Sequence, residues 1–140
     1  MPTDQDLWSL KRHQPKGSSE CHFFRKNLAP KVGVRHPHYC FIVYLTFAYS
    51  PEDARGLPSP EDEDTLFEIE SVGLRELEAD GLALQVATAT KCGVKDFLFY
   101  TSDPEQFLLR AEKLRDLYQQ FRVGCEIASD PEWKHYEQFP

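Results

Sequence analysis

Histidine, cysteine and carboxylate side chains are the groups in this sequence that could bind a metal ion or perform acid–base chemistry. His36, His38 and Cys40 alternate along the chain, and alternate residues of a strand point to one side, where they could converge on a metal. Pro37 interrupts the pattern, and a second cluster of ligands is missing from the sequence nearby. We therefore expect ordinary loop histidines and no bound metal.

Nucleophilic catalysis has little support. Cys21 and His22 are adjacent, but adjacency does not place a thiol within hydrogen-bonding distance of its base. The sequence has no glycine-rich phosphate-binding loop and no serine nucleophile elbow. We expect a protein that is not an enzyme and needs no cofactor. The alternative is an enzyme whose active site is assembled from residues distant in sequence.

The acidic residues favour a solvated surface over a catalytic one. The run 61–64 (Glu-Asp-Glu-Asp) lacks the spacing of a Ca²⁺-binding loop and is typical of a helix N-terminus, where negative charge is favourable. Glu68 and Glu70 are two residues apart, so on a helix they do not face each other as a carboxylate pair.

Charge is distributed unevenly. The net charge is -7; residues 1–38 carry seven Lys/Arg against three Asp/Glu, and residues 39–140 carry nine against twenty. The acidic main body would repel a phosphate backbone, so we expect it not to bind nucleic acid. The longest apolar run, Tyr39 to Tyr49, is too short to cross a membrane. The N-terminal residues lack the basic flank and apolar stretch of a signal peptide, and the four cysteines are scattered without paired spacing. We therefore expect a cytoplasmic protein with reduced thiols.

The apolar periodicity predicts an α+β domain over residues 39–140. Strands are expected at 41–47, 82–90, 94–101 and 121–127, because β-branched and aromatic residues dominate these segments. Helices are expected at Asp62–Asp80 and Pro104–Gln119, and the start of each is marked by a capping residue followed by a proline. The resulting β-α-β-β-α-β order predicts a ferredoxin-like split βαβ fold, an antiparallel sheet with both helices on one face.

The predicted helices have definite core faces. In the first, the apolar stripe is Leu66, Ile69, Gly73 and Leu77, with Val72 beside it, and Gly73 should allow close packing on the sheet. In the second, the apolar stripe comprises Phe107, Leu108, Ala111, Leu114 and Tyr118.

The two ends of the chain should pack on this body. Residues 1–38 form a predicted N-terminal extension, with a β-hairpin that turns at 17–19. At the other end, Asp130-Pro131 predicts a short helix that places Trp133 and Tyr136 on one face. One helical turn is not stable alone, so we expect both rings to be buried against the domain rather than held out to a partner.

Several motifs resemble those of the bacterial domain-of-unknown-function family 695. They are Gly56-Leu57-Pro58, Ile69-Glu70, Thr90 with Gly93, residues 97–100, and Asp130-Pro131-Glu132-Trp133 with Tyr136. That family is similar to the RraB-type protein regulators of ribonuclease E, which are acidic and ferredoxin-like. The resemblance implies the same fold and carries over no catalytic residues.

We therefore expect a non-catalytic regulatory domain, an RraB-like nuclease inhibitor, that acts on an unidentified protein with a basic surface and is a monomer or homodimer. One alternative is an immunity protein that neutralises a basic toxin. Another is an RNA-binding sheet, with Tyr44 and Tyr100, or Phe97 and Phe99, stacking on bases. The candidate partner-binding residues are Tyr44, Glu68, Glu70, Tyr100, Trp133 and Tyr136.

Overall fold

The computed structural model describes residues 7–30 and 33–140, so residues 1–6 and 31–32 of the predicted N-terminal extension lie outside the described residues. The strands are β1 (Trp8–His13), β2 (His22–Asn27), β3 (Phe41–Ala48), β4 (Ala83–Lys91), β5 (Val94–Thr101) and β6 (Arg122–Ser129). The helices are α1 (Pro60–Glu68), α2 (Arg75–Glu78), α3 (Pro104–Leu117) and α4 (Lys134–Gln138). The predicted α+β class is confirmed.

All six strands join in one antiparallel sheet with the order β1-β2-β4-β5-β3-β6. The predicted N-terminal β-hairpin is therefore present as β1 and β2. It does not form a separate layer, because β2 pairs with β4 and extends the sheet at that edge. None of the helices among the described residues is both long and apolar enough to cross a membrane.

One face of the sheet carries the main hydrophobic core. Val43, Leu45 and Phe47 alternate along β3 and are fully buried there, as their period of two predicts. Phe97 and Phe99 of β5 join them, and α1, α2 and α3 pack over this layer. On α3, Phe107, Ala111 and Leu114 of the predicted apolar stripe are buried. The prediction that Leu108 belongs to this stripe is wrong, because Leu108 is 41% exposed.

The helix expected at Asp62–Asp80 is interrupted. A π-helical turn spans Ile69–Gly73, marked by the bond from the Leu74 N–H to the Ile69 carbonyl (2.8 Å), and a 3₁₀ turn at Ala79–Gly81 ends the segment. A π-helical turn contains one residue more than an α-helical turn, which changes the direction of the residues that follow. As a result Leu74, and not Gly73, lies in the core. Gly73 faces α3 instead of the sheet: a Cβ there would lie 3.0 Å from Leu114 Cδ2.

The second face of the sheet is covered by the C-terminal segment. Trp133 and Tyr136 pack there with Ile42, Leu98 and Tyr100, so their predicted burial is confirmed. The predicted helix start is wrong in detail, because the chain turns at 131–132 and α4 begins at Lys134. Trp133 is the N-cap residue of α4, with a left-handed backbone (φ 57°), so it precedes the helix, but its ring still contacts that of Tyr136, with centroids 5.6 Å apart.

Candidate functional site

A groove runs between α1 and the N-terminal hairpin, on the helical side of the sheet. Its volume is about 300 Å³. The apolar walls are formed by Leu10, Phe23, Leu57, Pro58, Leu66 and Phe67, and the polar lining by Arg25, Glu63, Glu70, Thr90 and Lys95. We call this depression the α1 groove. Apolar walls with a few placed charges are typical of binding sites.

The helix that forms one wall starts where the sequence predicts. The Ser59 hydroxyl accepts a hydrogen bond from the Asp62 N–H (3.1 Å), and Pro60 occupies the first turn. Five of the nine residues of α1 are acidic, and its last turn has no basic residue. None of the four acids at 61–64 forms an ion pair with a described residue. Of these four acids, Glu63 lines the groove. The run 61–64 makes the first turn of α1 strongly negative, and we call this run the acidic rim.

Phe67 is the most unusual residue of this surface. Its neighbours Leu66 and Ile69 are buried, whereas the Phe67 ring is 71% exposed. Across the groove, Leu10 of β1 is also largely exposed. A large exposed aromatic ring beside an apolar depression has the form of an anchor that becomes buried when a partner binds.

The charged lining of the groove is internally paired. Arg25 Nη1 lies 2.9 Å from both carboxylate oxygens of Glu70, and Gln85 Nε2 donates to Glu70 Oε2 at 3.0 Å. The Arg25 guanidinium also lies 5.0 Å from the centre of the Trp8 ring. Glu70, a candidate partner-binding residue, is thus engaged within the domain and holds β2 against the π-helical turn.

Lys95 lies at the inner end of the groove. Its Nζ donates to the Thr90 hydroxyl at 2.9 Å. Burial lowers the pKa of Lys95, because desolvation disfavours the ammonium ion; Glu70 and Glu63 oppose this effect and Arg25 reinforces it. Two basic and two acidic side chains line the groove, so its lining has no net charge. The excess negative charge nearby comes from the other carboxylates of α1.

The other candidate partner-binding residues are dispersed. Glu68 is exposed but does not line the groove; it accepts a hydrogen bond from the hydroxyl of Tyr118, at the end of α3 (3.1 Å). Tyr44 is half-buried on the opposite face, where its hydroxyl shares a hydrogen bond with His135 Nδ1 (2.9 Å). Tyr100, Trp133 and Tyr136 are buried. The six residues do not form one surface.

The aromatic pairs considered for RNA stacking are also covered. Phe97 and Phe99 lie in the core beneath the helices, and Tyr100 lies beneath the Trp133 ring. Of the four rings, only Tyr44 has exposed surface, and one ring does not form a stacking platform.

The histidines and cysteines lie in places that their spacing does not predict. All four cysteines are free thiols. His36 Nδ1 accepts a hydrogen bond from the His38 N–H (3.2 Å), an arrangement local to that loop. Among the described residues, the metal-type ligands that do converge are Glu20, His22 and Cys92. The sequence pairs His22 with its neighbour Cys21 and gives no indication of its contact with Cys92.

The architecture is that of a small α+β domain with an antiparallel sheet enclosed on both faces. The model of a protein family described as "Family of unknown function (DUF695)" matches residues 19–139. This chain therefore belongs to the DUF695 family, and the resemblance in its motifs is confirmed. Neither the curated proteins nor the solved structures include a match to it.

Proposed function

We propose that this chain is a non-catalytic regulatory domain that binds a basic segment of another protein in the α1 groove. The observation that carries the proposal is Phe67, an exposed aromatic ring on a helix whose other surface residues are mostly carboxylates. The partner would place an apolar side chain in the groove beside Phe67 and its Lys or Arg residues along the acidic rim.

Energetics support this division of roles. Burying most of the Phe67 ring removes roughly 100 Å² or more from water, worth about 2.5 kcal/mol or more at 25 cal/mol per Å². The rim carboxylates are solvated, so each contributes little affinity by itself, but together they accelerate association with a basic surface. Phe67 would supply the affinity, and the acids of α1 would supply the choice of partner.

The finer version of the proposal is an RraB-like inhibitor of a nuclease. The strand order β4-β5-β3-β6 is compatible with the ferredoxin-like fold that this comparison requires. A nuclease that binds RNA presents a basic surface, which an acidic helix can cover. An immunity protein directed against a basic toxin would use the same surface, so the identity of the partner distinguishes the two.

Site-specific photo-crosslinking tests the proposal. A photoreactive phenylalanine analogue is placed at position 67 of the full chain, in cells that naturally make the protein. The control carries the analogue at Leu117, which is 74% exposed on α3 and lies outside the groove lining. We expect one discrete adduct with a basic protein from position 67 and none from position 117.

The charge requirement is tested in the same system. Neutralising Glu61, Glu63 and Asp64 to the corresponding amides should slow formation of the adduct and reduce its yield, because together these acids accelerate association. The fold should stay intact, because the three side chains are exposed. The proposal is wrong if position 67 gives no discrete adduct, if position 117 gives the same one, or if the neutralised chain cross-links as well as the parent.

A further inference from the structure

Three potential metal ligands converge at one end of the sheet, beside the turn between β4 and β5. Glu20 precedes β2, His22 begins it, and Cys92 lies in the turn between β4 and β5. Cys92 Sγ lies 3.1 Å from Glu20 Oε1 and 3.6 Å from His22 Nε2, and His22 Nε2 lies 3.1 Å from the same Glu20 oxygen. The three atoms thus form a small triangle.

The size of this triangle fits one zinc ion. With Zn–S near 2.3 Å, and Zn–N and Zn–O near 2.0–2.2 Å, a tetrahedral site has edges of roughly 3.3–3.6 Å between its ligand atoms. The Sγ–Nε2 separation of 3.6 Å agrees with that range, and the two 3.1 Å separations are within a few tenths of it. Modest side-chain rotation would place all three atoms at bonding distance from one cation.

The backbone holds the two contributing segments together. The Cys21 N–H donates to the Arg55 carbonyl (2.9 Å), and the Gly93 N–H donates to the Gly56 carbonyl (3.1 Å). Consecutive residues of one loop therefore fix both the segment before β2 and the β4–β5 turn. Preorganisation of this kind lowers the entropy lost when ligands gather around an ion.

The residue type at position 92 is itself informative. Cys92 and Gly93 form a two-residue hairpin turn, with φ values of 50° and 85°. Turns with two positive φ values strongly favour Asn, Asp or Gly at the first position. Turn geometry therefore does not explain a cysteine here, whereas metal ligation does. A thiol is also a weak hydrogen-bond donor, so the contact with Glu20 alone is a poor reason for it.

We propose that Glu20, His22 and Cys92 bind a Zn²⁺ ion, with water in the fourth position. Thiolate, imidazole and carboxylate are the three ligand types that zinc takes in proteins. Cys92 is exposed and Glu20 is half-buried, so the ion and its water would be accessible to solvent. Three protein ligands with an open fourth position are typical of zinc sites that exchange ligands, in contrast to closed structural sites. The proposal replaces the sequence-based expectation of no metal.

Cobalt(II) titration tests the site, because Co²⁺ substitutes for Zn²⁺ and reports on its ligands by absorption. The full chain is treated with a chelator under reducing conditions and then titrated. We expect a thiolate-to-cobalt charge-transfer band and tetrahedral ligand-field bands that saturate at one equivalent, and that Zn²⁺ abolishes. Cys92→Ser should remove the charge-transfer band and weaken cobalt binding by about a hundredfold or more. Mutating a residue that only hydrogen-bonds to a metal ligand already lowers metal affinity by about 10–100-fold, and Cys92 would be a ligand itself.

Two variants and a control make the result decisive. His22→Gln and Glu20→Gln should each weaken cobalt binding while keeping the thiolate band at high cobalt concentration. Cys40→Ser removes a different thiol and should titrate like the parent. The inference is overturned if the parent shows no thiolate band, if Cys92→Ser retains it, or if Cys40→Ser removes it. Circular dichroism of each variant shows that the fold persists.

Discussion

The indole ring of Trp133 stacks on the phenol ring of Tyr100, with ring centroids 4.0 Å apart and planes 4° from parallel. The Trp133 Nε1–H donates to the Tyr39 carbonyl at 2.8 Å, so the buried ring also has its polar group satisfied. The Tyr136 hydroxyl donates to the Asn27 carbonyl of β2 (2.6 Å). Together these contacts fasten the C-terminal segment across the second face of the sheet.

Trp133→Ala should destabilise the domain by about 3–5 kcal/mol, the usual range for removing a buried tryptophan. The ring is 0% exposed, so the substitution leaves a cavity and an unpaired Tyr39 carbonyl. Thermal melts should show a midpoint lower by roughly 10 °C or more. The other tryptophan supplies the control: Trp8→Ala, on the edge strand β1, should lower stability by about 1 kcal/mol. Equal midpoints for Trp133→Ala and the parent would contradict the packing.

Asp130 makes the stability of this segment sensitive to acid. Burial by itself would raise the pKa of Asp130. Hydrogen bonds from the Tyr100 hydroxyl (2.6 Å) and from the backbone N–H groups of His135 and Lys134 outweigh it, and the pKa is lowered overall. A carboxyl with a lowered folded-state pKa contributes stability above its unfolded pKa, near 3.9, and loses it as the pH falls through the folded value.

Asp130→Asn tests this linkage. Between pH 7 and about pH 2, the parent should lose more unfolding free energy than the variant, because only the parent carries this carboxylate. At pH 7 the variant should be less stable, since an amide accepts hydrogen bonds more weakly than a carboxylate. Chemical denaturation at several pH values measures both effects. Parallel stability profiles for the two proteins would show that Asp130 is not the linked group.

Gly56→Ala should destabilise more than Gly17→Ala. Both glycines have φ of +78°, so alanine introduces the same left-handed backbone strain at each, of about 1 kcal/mol. A Cβ at Gly56 would also lie 3.0 Å from the Cys92 backbone nitrogen, whereas a Cβ at Gly17 meets nothing within 4 Å. The difference between the two unfolding free energies therefore isolates the close approach of the loop to the β4–β5 turn. Equal values would show that this approach is not tight.

The sequence predicted what depends on local periodicity. The β3 residues alternate between core and opposite face because a strand has a period of two, and Ser59-Pro60 starts α1 because capping acts within one turn. The π-helical turn was missed because its cause is tertiary: Leu74 fits the core and Gly73 fits against Leu114. A 3.6-residue period does not reveal an inserted residue.

The candidate sites depend on contacts between distant segments, so the sequence predicted less of them. Glu20 and Cys92 are 72 positions apart and meet because β2 pairs with β4. A cysteine before glycine in a two-residue turn was the available signal. Phe67 was not recognised either, because an aromatic residue next to the apolar stripe of a helix usually lies in the core.

The affinity of the partner that cross-links to position 67 is the most direct test of the proposed interaction. Isothermal titration calorimetry compares the parent with Phe67→Ala and Leu117→Ala, both made at exposed α-helical positions. We predict that Phe67→Ala raises Kd by about 30-fold or more, the 2 kcal/mol typical of an interface anchor, and that Leu117→Ala leaves it within about twofold. A Phe67→Ala chain that folds normally and binds with the affinity of the parent would contradict the assignment of the α1 groove as the binding surface.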